Sequence, residues 1–325
     1  METLAPKYLK EQARMKLRRG RDPKKLVLWY AGLVVGLSLA INLINLWLNH
    51  QMASQGGLSN LGNLAILDTI SQSLPLLVSL LTMCLNLGYL SGMMRVSRGQ
   101  YADHTDLKAG FPLFWPMLRL TILLGIAYFA VIFVAFQVSY FLFMLTPWSQ
   151  PLMEYLTPLT ANGMPVMDES MILGAMEHMV PLFLLFAIVS LAFVIPVIYW
   201  FRMSSYCLVD DPNAGARAAM AASRKMMKGK FLTMLKIDLS LWPYHATSAL
   251  MSLVLYADLL LPALGVNLPI SGTTLTYVCF GLALAIQFAT LVLLRNRAEC
   301  TYLLVYDQLR EKPKSGETIL GSIFD

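Results

Sequence analysis

Residues 26–48 read LVLWYAGLVVGLSLAINLINLWL and contain no charged side chain. A helix needs about 20 apolar residues to cross the hydrocarbon core of a bilayer, where it must satisfy its own backbone hydrogen bonds. This run is long enough to do so. It follows residues 1–25, a polar and basic segment that is longer than the start of a cleaved signal peptide, so we predict that this first helix is retained.

The rest of the chain has the same apolar character. Hydrophobic residues make up 57% of it and charged residues only 14%, whereas a soluble domain carries about 25% charged residues. We therefore expect lipid to be its solvent, and an all-α membrane protein as its fold. Six apolar stretches are long enough to span a membrane: Leu26–Leu48, Leu64–Met94, Leu113–Thr146, Met179–Phe201, Phe231–Leu261 and Thr273–Leu294.

Lysine and arginine are confined to alternate connections between these stretches. Nine precede the first stretch, four lie around the second connection, seven lie around the fourth and five follow the last stretch. The other three connections contain none. Because basic residues are retained on the cytoplasmic side, this distribution predicts a six-helix bundle with both termini in the cytoplasm.

The fourth connection contains a predicted amphipathic helix, about residues 212–229. Asp211 is a suitable N-cap, Pro212 suits the first turn, and Gly229 suits the end. Its basic side is formed by Arg217, Arg224, Lys225 and Lys228, and its opposite side by Ala219, Met220, Ala222, Met226 and Met227. Such a helix fits the headgroup boundary of an anionic leaflet. Two interpretations remain open: a connector whose bases only mark topology, or a surface that binds a lipid headgroup or a partner.

The two ends of the chain flank the transmembrane domain, which we assign to residues 26–294. Residues 1–25 form a basic cytoplasmic segment in which Leu9, Ala13 and Leu17 share one side of a helix. We predict that this helix lies on the inner leaflet. Residues 295–325 are predicted to form a cytoplasmic C-terminal helix and tail.

Several short motifs resemble those of a known family. They are Leu9–Arg14, Tyr206, Asp210–Pro212, Ala219, Ser223–Lys230, Leu239–Trp242, Ala298, Tyr302, Tyr306 and Leu309–Arg310. This set is similar to the signature of the domain of unknown function 975 (DUF975) family, whose members are uncharacterised bacterial integral membrane proteins. The resemblance implies a multi-pass protein of the bacterial plasma membrane, and it supplies no catalytic residues.

The sequence contains no recognisable catalytic or metal motif. His50, His104, His178 and His245 do not form a metal-ligand spacing, and there is no glycine-rich phosphate loop. We therefore predict a protein that is not an enzyme and has neither cofactor nor metal. The basic run at the N-terminus has few aromatic residues beside it, so we do not expect nucleic-acid binding.

Three polar residues within the apolar stretches are candidates for an intramembrane site: His245, Asn42 and Asn86. Ionisable or polar side chains deep in a membrane protein often mark a substrate path. The competing interpretation is structural. Pro243 precedes His245 and is expected to kink the fifth helix, and buried amides commonly form hydrogen bonds between helices.

These features favour a non-enzymatic protein that acts by binding. Its expected partners are anionic lipids of the inner leaflet, a membrane protein or a second copy of the chain, in a scaffold, assembly or envelope-homeostasis role. The alternative is a transporter or permease-like carrier of a small or lipid-like substrate, which would require a polar pocket near the middle of the membrane.

Overall fold

The computed structural model describes residues 5–19, 23–54, 61–154, 169–257, 260–261, 266 and 272–310, and within these ranges all regular structure is helical. The predicted tail beyond Arg310 lies outside the described residues. Short 3₁₀ helices occupy His104–Gly110 and Pro212–Ala214, and a π-helical segment, Leu291–Arg295, joins the last two α-helices. The α-helices are α1 (Pro6–Arg19), α2 (Lys24–Ser54), α3 (Leu61–Ser97), α4 (Phe114–Met144), α5 (Glu169–Trp200), α6 (Ser204–Asp210), α7 (Gly215–Met227), α8 (Phe231–Ser240), α9 (Trp242–Leu255), α10 (Gly272–Thr290) and α11 (Asn296–Leu309).

Five helices of the described residues are long and apolar enough to cross a membrane. Five of the six predicted stretches are thereby confirmed as long helices, and the last of them continues through the π-helical segment into α11. A charge-free apolar run has no alternative in hydrocarbon to satisfying its backbone internally, which explains why these helices were predictable. The five segments are Lys24–Leu48, Thr69–Ser97, Phe114–Met144, His178–Asp210 and Thr274–Leu309.

The remaining predicted stretch, Phe231–Leu261, contains two shorter helices, α8 and α9. Leu241 stands between them with φ −94° and ψ 21°, outside helical geometry. Pro243 lies in the first turn of α9. A proline lacks an N–H and its ring collides with the carbonyl four residues earlier, so a helix rarely continues through it undisturbed. The expected kink is therefore a division into two helices.

The helices belong to two compact units. The first comprises residues 1–117, 205–215 and 232–325, and the second comprises residues 118–204 and 216–231. The first unit thus contains both the N-terminal and the C-terminal helix of the described chain, which the sequence analysis assigned to separate segments on either side of the transmembrane domain.

In the first unit, helix α1 packs against α11 and α3. Leu9 and Ala13, on its apolar side, are 0% and 1% exposed. The Sγ of Cys300 lies 3.8 Å from the carbonyl oxygen of Ala13, and Lys16 donates to the carbonyl oxygen of Ser97 over 2.5 Å. The apolar side that we expected to contact the leaflet is therefore covered by the protein itself.

Helix α3 and the first 3₁₀ helix approach each other backbone to backbone. A Cβ added to Gly110 would lie 1.9 Å from the carbonyl oxygen of Cys84, and one added to Gly88 would lie 2.2 Å from that of Leu107. Small residues allow this kind of close contact between elements in membrane proteins. Glycine at 88 and 110 is therefore a requirement of the packing.

The 3₁₀ helix is held at its start by a capping box. The Asp103 carboxylate accepts from the backbone N–H of Asp106, and the Asp106 carboxylate accepts in return from the Asp103 N–H over 2.9 Å. The Asp103 carboxylate also accepts from the His104 backbone N–H over 2.7 Å. The side-chain hydrogen bond with His104 lowers the pKa of Asp103. Arg95 pairs with Asp106 over 2.6 Å, so the segment is also tied to the end of α3.

The second unit contains α4 and α5. Their aromatic side chains meet where the rings of Phe136 and Phe186 lie 5.7 Å apart, edge to face. A cluster of buried residues nearer the end of α4 comprises Phe143, Leu152 and Leu182. Many of the described side chains of these two helices are exposed apolar groups, as expected of surfaces solvated by lipid.

Replacing Gly110 by alanine is expected to lower the free energy of unfolding by about 3 kcal/mol or more, because a Cβ at this position overlaps backbone atoms that cannot rotate away. Gly281→Ala is the control, since nothing lies within 4 Å of its added Cβ. That variant should be neutral or slightly stabilised. Thermal unfolding in one detergent compares them, and equal midpoints would contradict the close backbone contact.

Candidate functional site

Within the second unit, helix α7 packs against the end of α5 through one narrow face. The Ser223 hydroxyl donates to the carbonyl oxygen of Trp200 over 2.9 Å and accepts from the N–H of Met203 over 3.1 Å. These two bonds satisfy backbone groups at the end of α5 and fix the rotation of α7 about its axis. The buried residues of the helix recur every three or four positions and are Ala216, Ala219, Ser223 and Met227.

The basic residues of α7 lie away from that buried face. The Arg224 guanidinium lies 5.6 Å from the centre of the Trp200 ring, a distance at which the cation is attracted to the aromatic face. Trp200 is 43% exposed and falls in the span His178–Asp210. Exposure is common to all four residues of the predicted basic side, Arg217, Arg224, Lys225 and Lys228.

The apolar side of α7 is narrower than predicted. Ala219 and Met227 are buried and Met220 and Met226 are partly buried, but Ala222 is exposed. The buried face is centred on Ala219 and Ser223, and a residue directly before Ser223 is turned about 100° away from it. The predicted helix of residues 212–229 is divided, because Asp211 caps the short 3₁₀ helix Pro212–Ala214 and α7 itself begins at Gly215, which has φ +80°. The Asp211 carboxylate accepts from the Ala214 N–H over 3.3 Å, and Gly229 has φ +71°.

A network of charged groups in the first unit is centred on Asp210. Its carboxylate pairs with Arg98 over 2.8 Å, accepts from the Tyr306 hydroxyl over 2.9 Å and pairs with Arg310. The side chain of Asp210 is only 7% exposed. The hydrogen bond to Asp210 raises the pKa of Arg98. Arg98 also lies 3.5 Å from Asp307.

A second contact joins α6 to α11 beside this network. The Tyr206 hydroxyl donates to Glu299 over 2.9 Å. The ring of Tyr206 also stacks on that of Tyr306, with centres 6.0 Å apart. The motifs around Asp210 and around Tyr306, nearly a hundred residues apart in sequence, are therefore two halves of one interface.

Arg295, whose side chain is 13% exposed, is a largely buried cation at the end of the π-helical segment. It donates to the Tyr30 hydroxyl over 2.7 Å and to the side-chain oxygen of Asn86. Its guanidinium lies 4.7 Å and 4.9 Å from the ring centres of Tyr30 and Tyr89. Glu299 is 3.9 Å away. Arg295, which sequence analysis counted only as a topology signal, lies within the last long apolar helix. It thus holds α2, α3 and α11 together.

The three candidate intramembrane residues have different partners. His245 lies 3.2 Å from the Tyr302 hydroxyl, which in turn donates to Asp238 over 2.7 Å. Asn86 accepts from Arg295. The amide of Asn42 donates to the carbonyl oxygen of Ser38 in its own helix over 2.8 Å. Asn42 and Asn86 therefore serve local and interhelical hydrogen bonding, while His245 belongs to a short polar chain.

Sequence analysis missed the partners of Asp210 and Arg295. Arg98, Arg295 and Arg310 were counted only as cytoplasmic bases, because charge counting does not reveal which carboxylate a base meets. A usable signal was present, since Tyr206, Asp210, Tyr306 and Arg310 all stood within or beside the recognised motifs.

The described residues thus define an all-helical protein with long apolar helices suited to a membrane. The chain belongs to the family described as "Protein of unknown function (DUF975)", whose profile it matches over residues 4–312. The resemblance identified from the motifs is thereby confirmed across nearly the whole chain. Comparison with curated proteins and with solved structures yields no match.

The Asp210 network leads to a stability prediction. Asp210→Asn leaves two guanidinium groups without their shared carboxylate, and because Asp210 is nearly buried we expect the free energy of unfolding to fall by about 2 kcal/mol or more. Asp307→Asn makes the same chemical change at a carboxylate that is 30% exposed and 3.5 Å from Arg98, and should cost less than about 1 kcal/mol. Thermal unfolding of both variants measures the two losses of stability. A larger loss in Asp307→Asn than in Asp210→Asn would contradict the central role of Asp210.

Proposed function

We propose that the protein crosses the bacterial plasma membrane six times, with both termini in the cytoplasm. The five long apolar helices provide five crossings, and α8 and α9 together would provide the sixth. The confinement of lysine and arginine to alternate connections supports this orientation. In this topology α1 and α7 lie at the cytoplasmic surface.

Its function would be to bind rather than to catalyse. We propose that α7 engages anionic lipid of the inner leaflet, or an acidic membrane partner or second copy, as part of a scaffold, assembly or envelope-homeostasis system. The observation that carries this proposal is the fixed orientation of α7. Ser223 anchors one face, so the four exposed bases are held away from that face, with Arg224 next to Trp200.

The energetics favour lipid as the first partner to test. Each lysine or arginine near an anionic surface contributes about 1 kcal/mol of attraction. Trp200, as an amphipathic ring at the end of a long apolar helix, suits the headgroup level of a bilayer. A connector helix that served topology alone would have no need for an arginine stacked on this ring.

Charge reversal on α7 tests the lipid-binding proposal. Arg217→Glu/Arg224→Glu/Lys228→Glu removes about 3 kcal/mol of attraction, so we expect the affinity of the α7 face for phosphatidylglycerol to fall roughly a hundredfold. Native mass spectrometry during titration of this lipid into neutral detergent measures the change. Lys7→Glu/Lys108→Glu/Arg119→Glu is the matched control, since it reverses three exposed bases elsewhere. If both triple variants lower the affinity for the lipid equally, the bases of α7 only mark topology and do not form a binding site.

A carrier of a small or lipid-like substrate is the second candidate function. The division between α8 and α9 lies four residues before His245, which joins a polar chain with Tyr302 and Asp238. Interrupted helices with polar side chains beside them are typical of transporter binding sites. This combination of a divided helix and a polar chain is the observation that supports transport as the second function.

The carrier hypothesis predicts that His245→Gln abolishes retention of a small molecule by the purified protein without changing its thermal stability by more than about 1 kcal/mol, because His245 is exposed. Mass spectrometry of small molecules released from wild type and variant on denaturation provides the measurement. His178→Gln, at a partly buried histidine of the second unit, serves as the control. Identical released molecules from wild type and both variants would argue against a site at His245.

A further inference from the structure

A groove in the first unit combines cationic and apolar groups. It lies between the second half of α1, the start of α2 and the junction of the π-helical segment with α11, and its volume is about 570 Å³. Pockets of this size accommodate small organic ligands. The groove is separate from α7, because its lining residues belong to other helices.

Four basic side chains line the groove, and none of the described residues that line it is acidic. Arg14 and Arg18 are one helical turn apart and so share a face of α1. Lys24 is the first residue of α2, where the helix dipole adds to the positive potential. Arg297 completes the set from α11. A site with this charge selects an anion, and two arginines with planar donors suit the oxygens of a phosphate.

The other lining residues are apolar and lead into the membrane-spanning helices. Val27 is buried at the floor, while Leu28 and Leu293 are 48% and 64% exposed. Leu28 lies in the span Lys24–Leu48 and Leu293 in the span Thr274–Leu309. A small soluble anion would gain nothing from these exposed apolar side chains. The glycerol and acyl portions of a lipid, in contrast, bury apolar surface against them.

From this juxtaposition we infer that the groove binds one phospholipid with an anionic headgroup, its phosphate between Arg14, Arg18, Lys24 and Arg297 and its acyl chains along Leu28 and Leu293. The charge is complementary, and the order of the groups along α2, with Lys24 at the start of the span and Leu28 one turn further in, matches the order of groups in a lipid. The inference shares only the ligand class with the proposed function and does not depend on α7.

The location gives the bound lipid a structural consequence. Arg14 and Arg18 are on α1, Lys24 is on α2 and Arg297 is on α11. One headgroup that contacts all three helices stabilises their packing by mass action, as any ligand of the folded state does. The protein is therefore expected to be more stable in membranes that contain anionic lipid.

Loss of charge in the groove tests this inference. The Arg18→Gln/Arg297→Gln variant should bind the first phosphatidylglycerol molecule at least tenfold more weakly than wild type in a native mass spectrometry titration. It should also lose the increase in unfolding temperature that this lipid produces. The matched control, Lys7→Gln/Arg119→Gln, removes two exposed bases outside the groove and should retain both effects.

Further variants and ligands distinguish a lipid site in the groove from binding elsewhere. Arg18→Lys/Arg297→Lys keeps the charge and should restore most of the binding. The α7 triple variant should keep the first, tightest lipid and lose only the weaker lipid that binds at α7, so failure of the α7 proposal and failure of the groove can be distinguished. Equal binding of phosphatidylcholine, displacement of the lipid by free glycerol 3-phosphate, or an undiminished first lipid in Arg18→Gln/Arg297→Gln would each overturn the inference.

Discussion

The packing of the first unit depends on how the charge of one largely buried cation, Arg295, is compensated. Arg295 occupies a long apolar helix, where an unpaired guanidinium would be very costly. Its partners come from separate elements: Tyr30 on α2, Asn86 and Tyr89 on α3, and Glu299 one turn further along its own helix. Because all of these groups must converge for the charge to be tolerated, the relative positions of three helices follow from a single side chain. The π-helical turn before Arg295 adds one residue to the helix and so sets the direction in which the guanidinium points.

Length and hydropathy were sufficient to predict the long helices, because a charge-free run of about 20 residues has few other options in hydrocarbon. The surface against which the apolar side of α1 packs was not predictable from length and hydropathy. Leu9 and Ala13 form an apolar stripe that suits lipid and protein equally well, and only the positions of α3 and α11 in the fold decide between them. Pro243 is a similar case. A proline shows where a helix is disturbed, but the surrounding packing decides whether it bends or ends.

The basic side of α7 was predictable because helical periodicity and the signals at Asp211 and Gly229 are local properties of the sequence. The Asp210 network and the groove were not, since both depend on residues far apart along the chain. Arg98, Asp210 and Arg310 meet across more than two hundred residues, and Arg18 lines the same groove as Arg297. Counting bases gives their side of the membrane, whereas only the fold shows which of them share a ligand.

The packing of α1 on α11 has a consequence for biosynthesis. Ala13 precedes Cys300 by 287 residues, so during translation α1 and α3 are made long before α11, the other helix on which α1 packs. The second unit is formed mostly by the continuous segment 118–204 and interrupts the first. The second unit can therefore assemble before α11 of the first unit has been made. A chain shortened by premature termination would expose the apolar stripe of α1, which offers quality-control proteases and chaperones a direct means of recognising incomplete molecules.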